Sequence, residues 1–145
     1  MVIRELRAED VEPLSAIEAK AFSMPWSAAD FARLIQDRHS LYLVAVEDGR
    51  VVGSCGVTNV SGDGEIDNVV VDEAYRNRGI ATALLEETLR RGQAMGVRAF
   101  TLEVRVSNAA AIHVYEKAGF VAEGIRPRFY EKPTEDAMIL WKRDN

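Results

Sequence analysis

The sequence predicts an α/β or α+β fold built on one mixed sheet, and two observations support this prediction. Apolar, β-branched runs at residues 41–47 and 50–58 are joined by Asp48-Gly49, a two-residue turn typical of antiparallel hairpins. After a further run at 65–71, helical and strand periodicities alternate, which is the pattern of βαβ units. Antiparallel strands followed by βαβ units predict a sheet with both kinds of pairing.

The elements before the hairpin are a strand and two helices. Apolar residues recur at helical spacing over residues 9–22, and Pro13 falls in the first turn, where its missing N–H costs little. Ser27 and Asp30 have the spacing of a capping box, which predicts the start of the second helix. The predicted bounds are 2–6 for the strand and 9–22 and 27–37 for the helices.

The elements after the hairpin begin at a predicted turn, Gly62-Asp63-Gly64, which precedes the strand at 65–71. Gly92 interrupts the next helix at a cost of about 1 kcal/mol relative to alanine, and nothing in the sequence explains it. The predicted elements are helices at 79–95 and 109–118 and strands at 100–104, 120–124 and 137–142.

Composition predicts one soluble domain spanning residues 1–145. The chain is 48% hydrophobic and 28% charged, and no apolar run approaches the ~20 residues of a membrane span. Residues 1–5 lack the apolar segment of a secretory signal, so we expect a cytoplasmic protein that does not bind membranes. The single cysteine, Cys55, cannot form an internal disulfide and is expected to be a small core residue rather than a nucleophile.

The formal net charge of −5 limits the classes of partner. Phosphate neutralisation needs clustered Lys and Arg, so the charge argues against nucleic-acid binding and favours an amine or a basic peptide. The two histidines and one cysteine lie far apart in the sequence, so no metal site is predicted. The working hypothesis is a monomer.

The most informative local feature is the run Arg-Asn-Arg-Gly-Ile-Ala at 76–81, which follows the apolar residues 69–71 and opens a helix. The first N–H groups of a helix lack partners and carry the positive end of its dipole, so they bind phosphate oxygens. Gly79 lets the backbone approach an anion, and Arg76 and Arg78 add positive charge. By itself, such a turn is more typical of an ordinary helix start.

Two further segments carry a family resemblance. Residues 101–108 read TLEVRVSN and residues 111–120 read AIHVYEKAGF; together with residues 76–81 they resemble the GNAT superfamily of N-acetyltransferases. Three further segments resemble its RimI-type branch, the ribosomal-protein alanine N-acetyltransferases. They are FSMPWS at 22–27, GIR at 124–126 and EDA at 135–137. Several short blocks in the right order are far more specific than any one of them.

The resemblance implies a GNAT fold and acetyl-coenzyme A as the donor. That fold is a strongly twisted mixed central sheet flanked by helices, with the central strands at 65–71 and 100–104 splayed apart to admit the cofactor. Ala81 stands where glycine is commoner in the superfamily, which adds only a methyl group. The implied cofactor contacts are Val69 and Val71 for the pantetheine and acetyl group, Arg76, Asn77, Arg78, Gly79, Ile80 and Ala81 for the pyrophosphate, and Asn108 for the pantetheine side.

The resemblance also implies direct attack of an amine on the thioester in a ternary complex, with Glu103 as the base and Tyr115 as the acid. From the residues alone, Glu103 could instead pair with Arg105 on the same face of a strand, and Tyr115 could pack in the core. The rival bases are two histidines. His39 precedes a strand, and His113 lies about 200° around the helix from Tyr115, so it is expected to point elsewhere.

The acceptor is predicted to be a peptide N-terminus. An α-amino group has a pKa of about 8 against about 10.4 for lysine, so its neutral form is about 3 kcal/mol easier to reach at neutral pH. The RimI-type resemblance points to the N-terminal alanine of a small-subunit ribosomal protein. The candidate substrate-binding residues are Trp26, Tyr130, Glu135 and Asp136. Phe129 stands where the family often has a second tyrosine, and residues 126–136 could instead form a solvated loop.

Two alternatives to this function stay open at the level of sequence. One is an N-acetyltransferase for lysine side chains or small amines, since a fold does not fix its acceptor. The other is a regulatory module that binds coenzyme A without catalysis, which would keep residues 76–81 but would not need Glu103 or Tyr115.

Overall fold

The computed structural model describes residues 1–143, apart from the side chain of Asn68. The strands are β1 (Val2–Glu5), β2 (Ser40–Glu47), β3 (Arg50–Val60), β4 (Asp63–Val71), β5 (Ala99–Arg105), β6 (Val121–Tyr130) and β7 (Glu135–Arg143). The helices are α1 (Val11–Ala21), α2 (Ala28–Ile35), α3 (Ile80–Ala94) and α4 (Ala109–Lys117). Within residues 1–143 the seven strands form one sheet in the order β1-β2-β3-β4-β5-β7-β6. The predicted mixed α/β fold is confirmed.

The first hairpin forms as predicted. Glu47 pairs with Arg50, and the two residues between them, Asp48 and Gly49, both have positive φ, at 53° and 73°. Two successive positive φ values are those of a type I′ turn, whose twist matches that of the flanking strands. The Asp-Gly dipeptide therefore fixes the register of β2 against β3.

The second hairpin turns two residues earlier than predicted. Val60 pairs with Asp63, and Ser61 and Gly62 form the turn with φ of 54° and 95°. The prediction placed the turn at residues 62–64, but Gly64 lies within β4, where a Cβ would come within 2.7 Å of Val97. Close packing against Val97, rather than a turn, accounts for this glycine.

The first two helices differ slightly from their predicted bounds. The chain forms a 3-10 turn over Ala8–Asp10 before α1, so the helix starts two residues later than predicted. The capping box of α2 is confirmed. Ser27 Oγ accepts the N–H of Asp30 at 3.2 Å, and the Asp30 carboxylate accepts the N–H of Ser27 at 2.9 Å.

The parallel pair of strands in the centre of the sheet, β4 and β5, separates after three residues. The pairing runs from Asp63 opposite Ala99 to Glu65 opposite Thr101, although β4 continues to Val71 and β5 to Arg105. The predicted splay is therefore present. On the side away from β4, β5 pairs with β7 along its whole length.

Helices cover both faces of the sheet and form two hydrophobic clusters. One face carries α3 and α4, with Leu84, Leu85 and Tyr115 in its cluster. The other face carries α1 and α2, with Leu14 and Phe31 in its cluster. Within residues 1–143, no helix is both long and apolar enough to cross a bilayer.

The structure explains the glycine inside α3. A Cβ at Gly92 would lie 2.8 and 3.0 Å from two ring carbons of Phe100, which is itself 2% exposed. The missing side chain lets α3 pack closely over β5. Close packing offsets the weaker helix propensity of glycine.

Strand β6 is much longer than predicted. The sequence predicted a strand at 120–124, whereas β6 pairs with β7 through Arg126 opposite Ala137 and ends at Tyr130 opposite Glu135. Pro127 lies in the register shift between these two pairs. Because β6 is an edge strand, a residue without a backbone N–H is tolerated at this irregularity.

Candidate active site

The turn before α3 has the backbone expected of an anion site. Gly79 precedes the helix in a left-handed conformation with φ of 76°, and Asn77 is also left-handed, with φ of 64°. No acidic residue lies in the first turn of α3. A Cβ at Gly79 would meet no atom within 4 Å, so the glycine serves the left-handed backbone and leaves open space in front of the helix start.

A pocket of about 480 Å³, here called the donor pocket, lies between β4, α3 and α4. It gathers nearly all of the cofactor contacts that the sequence suggested. The predicted residues that line it are Val69, Val71, Arg76, Asn77, Gly79, Ile80, Ala81 and Asn108, and Tyr115 lines it as well. Arg78 lies outside the lining, with its guanidinium 5.0 Å from the ring centroid of Tyr75.

Two of these side chains hold the pocket's walls in place. The Oδ1 atom of Asn108 accepts the N–H of Ala111 at 3.2 Å and so caps α4. The Nε atom of Arg76 donates to the carbonyl of Val71 at 3.3 Å and ties the phosphate turn to the end of β4.

Tyr115 joins the core to the donor pocket. Its ring is 1% exposed and packs edge-on against Phe120, with centroids 5.9 Å apart. Its hydroxyl accepts the N–H of Val69 at 3.2 Å, beside the splay. Burial raises the pKa of this hydroxyl well above its usual range, so the group stays protonated at neutral pH. Since its oxygen accepts from Val69, its own proton is available to a second group.

A smaller pocket of about 250 Å³, here called the acceptor pocket, lies on the α1 and α2 side of the sheet. It combines acidic and aromatic side chains. Its lining residues are Glu18, Trp26, Tyr42, Ile66, Asp67, Glu103, Phe129 and Tyr130.

Both pockets are lined by residues of β4 that lie past its last pair with β5. Asp67 on β4 and Glu103 on β5 each lie two residues past the last pair between these strands, Glu65 and Thr101. They are close enough for the charge of Glu103 to raise the pKa of Asp67. Tyr115 lines the donor pocket, and the carboxylates of Asp67 and Glu103 line the acceptor pocket.

Glu103 does not pair with Arg105, so that alternative is wrong. Its nearest cation is Arg126, 3.8 Å away, and about a third of the Glu103 side chain is exposed. Arg105 pairs with Glu135 instead, at 3.1 Å. Glu103 therefore remains accessible from the acceptor pocket.

Sequence reasoning missed two carboxylates of the acceptor pocket, Asp67 and Glu18. Burial raises the pKa of Asp67 to about 7, and the negative charges of Glu18, Glu65 and Glu103 act in the same direction. Burial also raises the pKa of Glu18 to about 7, against the effect of a backbone hydrogen bond from Trp26. Glu18 lies four residues after Leu14, on the buried face of α1, and that spacing could have revealed it.

The four predicted substrate-binding residues divide into two groups. Trp26 and Tyr130 line the acceptor pocket. Glu135 binds Arg105 and accepts the N–H of Ser107 at 2.8 Å, and these interactions lower its pKa. Asp136 accepts the N–H of Arg128 at 2.9 Å. Neither acid is among the residues that line the acceptor pocket.

The remaining candidate nucleophile and bases lie elsewhere. Cys55 is fully buried, as predicted, and burial raises the pKa of its thiol to about 12. His113 is exposed while Tyr115 is buried, so the two side chains point in different directions, as predicted. Within residues 1–143, no group of three or more His, Cys, Asp and Glu side chains is placed to hold a metal ion.

A larger depression of about 800 Å³ lies between α1 and the β2–β3 hairpin and shares Ala21, Val71 and Arg76 with the donor pocket. Some of its charged walls neutralise each other, as in the 2.7 Å ion pair of Arg4 and Asp10. It contains none of the predicted catalytic residues. Chemistry is therefore assigned to the two smaller pockets.

Comparisons with known proteins show the family to which the chain belongs. A family model described as the acetyltransferase (GNAT) family matches residues 11–120. The ribosomal protein bS18-alanine N-acetyltransferase of Escherichia coli K12 is 34% identical over 142 residues, which covers 95% of this chain and 94% of that protein. The N-alpha-acetyltransferase RimI of Mycobacterium tuberculosis is 32% identical over 151 positions, covering 100% and 93%.

A solved structure extends the likeness to three dimensions. The crystal structure of the ribosomal-protein-S18-alanine N-acetyltransferase from Escherichia coli superposes with a TM-score of 0.89 at 33% identity, covering 98% of this chain and 92% of that one. The family model and the relatives both span most of the chain. The chain therefore belongs to the acetyltransferase (GNAT) family and is an acetyl-coenzyme A-dependent N-acetyltransferase.

Proposed function

We propose that this enzyme acetylates the α-amino group of a protein N-terminus, with the N-terminal alanine of a ribosomal protein as the first candidate. The observation that carries the proposal is the pair of pockets lined by β4 residues past its last pair with β5, one with a phosphate-type turn and the other with carboxylates. The relatives from Escherichia coli and Mycobacterium tuberculosis, whose names state this kind of acceptor, support it.

The donor pocket is assigned to acetyl-coenzyme A, which supplies the acyl thioester. In this proposal, the N–H groups at the start of α3 and the side chain of Arg76 bind the pyrophosphate. The backbone of Val69 and Val71 lines the pantetheine and acetyl group, and Asn108 contacts the pantetheine. Arg78 adds positive charge from the outer side of the turn.

Two side chains are proposed to move protons. The nitrogen of the neutral amine bonds to the acyl carbon, and the carbon–sulfur bond breaks with its electron pair on sulfur. Glu103 takes the proton that the amine loses, and the hydroxyl of Tyr115 gives a proton to the sulfur. Solvent then returns a proton from Glu103 to Tyr115. Because Cys55 is buried and its thiol stays protonated, transfer is direct, without an acyl-cysteine.

Asp67 is proposed to attract the acceptor. It lines the acceptor pocket and becomes anionic as the pH rises through about 7, so it favours a cationic ammonium group over a neutral ligand. The bound ammonium group then releases one proton to solvent, and the resulting neutral amine attacks. Trp26 and Tyr130 offer aromatic walls to the first residues of the peptide. A pocket of about 250 Å³ suits a small first side chain, since drug-sized ligands occupy roughly 300–1,000 Å³.

An α-amino group fits this site better than a lysine side chain. Its neutral form is about 3 kcal/mol easier to reach at neutral pH, which corresponds to a factor of about 100 or more in the reactive fraction.

The proposal further includes a single domain over residues 1–145, a monomer in the cytoplasm, a protein partner, and no direct contact with nucleic acid or membrane. The net charge of −5 supports a cationic partner.

Acetyl transfer to matched peptides tests the proposal. The protein would be incubated with acetyl-coenzyme A and a hexapeptide that begins with alanine and contains one lysine. The control is the same hexapeptide with a blocked N-terminus. Mass spectrometry is expected to find acetylation of the free α-amine with a kcat/KM about 100-fold above that of the lysine.

Other outcomes would identify the alternatives. If acetyl transfer were confined to the lysine, or to a small amine such as spermidine, the proposed α-amino acceptor would be wrong and that amine would be the acceptor. Binding of acetyl-coenzyme A without transfer to any amine would favour a regulatory module. Comparison of protein N-termini from cells with and without the enzyme would then identify the physiological target.

A further inference from the structure

We propose that Arg105 is a positioning residue that fixes the two walls of the acceptor pocket relative to each other. The inference rests on the proposed function, because it concerns how the pocket holds a peptide. Arg105 ends β5, two residues after Glu103, and contacts neither the donor pocket nor the phosphate turn.

The guanidinium of Arg105 contacts two loops at once. Its Nη1 atom donates to the carbonyl of Pro133 at 2.9 Å and to Oε1 of Glu135 at 3.1 Å. Its Nη2 atom donates to the carbonyl of Glu131 at 2.7 Å and to Oγ of Ser23 at 3.1 Å. One side chain therefore joins the α1–α2 loop to the turn between β6 and β7.

These loops carry the aromatic walls of the acceptor pocket. Trp26 lies three residues after Ser23, and Tyr130 lies directly before Glu131. The guanidinium of Arg105 also stacks on the ring of Tyr130, 4.6 Å from its centroid. Arg105 therefore contacts Tyr130 directly and reaches the loop of Trp26 through Ser23, whose Oγ also donates to the carbonyl of Glu131 at 3.5 Å.

Only arginine suits this arrangement. Its planar guanidinium presents donors in a fixed fork, whereas a lysine ammonium is a compact charge that cannot reach four acceptors in one plane and stack on a ring. The charge of Arg105 is neutralised by Glu135, which is itself held by the N–H of Ser107 at 2.8 Å. An incoming ammonium group therefore meets no unpaired cation at this wall.

The test compares R105Q and R105K with wild type, using the whole chain. Hydrogen exchange measures the amides of Ser23, Met24 and Trp26 and of Glu131, Lys132 and Thr134 without any substrate. We expect faster exchange in both segments of R105Q. Kinetics then compare an alanine-initiated hexapeptide with alaninamide as acceptors. For R105Q we expect kcat/KM to fall about tenfold or more with the hexapeptide, because its KM rises, and less than threefold with alaninamide. The losses in R105K are expected to lie between those of R105Q and wild type.

R98Q is the matched control. Arg98 directly precedes the other end of β5 and is exposed, so the same substitution there is expected to leave both readouts unchanged. Unchanged exchange in R105Q, or equal losses with both acceptors, would overturn the proposal. A wild-type enzyme that acetylates no peptide N-terminus would refute the proposed function, while the exchange comparison would still decide whether Arg105 joins the two loops.

Discussion

Tyr115 contributes its ring to the core and exposes its hydroxyl to the donor pocket, where we propose that it acts as the acid. Its buried ring contributes to the cluster under α3 and α4, while its hydroxyl reaches the N–H of Val69 at the splay. The two interpretations of Tyr115 from the sequence, a core residue and an acid, are therefore compatible. They can be separated by removing only the hydroxyl.

We expect Tyr115→Phe to lower kcat by about 100-fold or more, because a general acid contributes roughly 10²–10⁴ in rate. The ring remains, so the dissociation constant for acetyl-coenzyme A is expected to change less than threefold. Steady-state kinetics and calorimetric titration measure the two quantities. An unchanged kcat would refute the acid role.

Asp67→Asn tests the acceptor pocket through its pH dependence. Burial raises the pKa of Asp67 to about 7, so at pH 6 the carboxyl is mostly neutral and at pH 8 it is mostly charged. We expect the variant to raise the KM for an alanine-initiated peptide about tenfold at pH 8 and less than threefold at pH 6, since a hydrogen bond to a charged group contributes roughly 1.5–3 kcal/mol. Initial rates at the two pH values measure this ratio.

Glu103→Gln is the comparison for Asp67→Asn. As the proposed base, Glu103 is expected to affect kcat at both pH values rather than KM at one of them. If Asp67→Asn gave the same change in KM at pH 6 and pH 8, the proposal that Asp67 attracts the ammonium group would be wrong.

The sequence analysis named residues that line the donor pocket but did not name Asp67, and a bulge explains why. If side chains alternated strictly along β4, Asp67 would lie on the same face as Val69 and Val71, which line the donor pocket. In the structure Gly56 pairs with Asp67 while Ser54 pairs with Val70, so β4 contains one extra residue between these pairs. The bulge turns Asp67 to the acceptor side, and alternation alone cannot predict it.

At the scale of elements, periodicity predicted the helices and most strands within one or two residues, and β6 is the main exception. The sequence predicted a strand only to residue 124 and left residues 126–136 as either a peptide-binding segment or a solvated loop. Pro127 lies in this stretch, and a proline weakens a strand prediction. The strand continues because β7, whose central residues are apolar and include the buried Ala137 and Leu140, provides a partner across the irregularity. Pairing with a distant segment is not visible in local sequence.

Gly92→Ala is a test of packing between α3 and β5. Helix propensity alone predicts a gain of about 1 kcal/mol, but a Cβ would lie 2.8 Å from the buried ring of Phe100. Because overpacking costs about 1–3 kcal/mol, we expect the free energy of unfolding to fall by about 1 kcal/mol. Urea denaturation followed by circular dichroism measures it.

Gln93→Ala, at the exposed neighbouring position of α3, is the matched control and is expected to change stability by less than about 0.5 kcal/mol. Adding Phe100→Leu to Gly92→Ala is expected to recover part of the loss, because the two sites are in contact. A more stable Gly92→Ala variant would contradict the packing explanation.

At the scale of the whole molecule, the acceptor pocket makes stability depend on pH. The pKa of Glu18 is about 7 in the folded protein against an ordinary value of 4.5. Between these values the folded chain keeps a proton that the unfolded chain has released, so stability falls as the pH rises, and the loss is complete above about pH 7. We expect Glu18→Gln to stabilise the protein by about 2 kcal/mol more at pH 8 than at pH 5, measured by urea denaturation.

Glu12→Gln makes the same chemical change at an exposed position of α1 and serves as the control. Its effect on the free energy of unfolding is expected to stay within about 0.5 kcal/mol at both pH values. An equal effect of Glu18→Gln at pH 5 and pH 8 would show that burial does not hold this carboxyl protonated.

The separation of β4 from β5 has a consequence for inhibitor design. Because the separated part of β4 lines both pockets, a single compound that reached from one to the other would pass along this segment, between Val69 and Asp67. Coenzyme A joined to a short peptide through a slender linker meets this condition. Once one half is bound, the other half is held at a high effective concentration, so avidity would come from linker length rather than from new contacts.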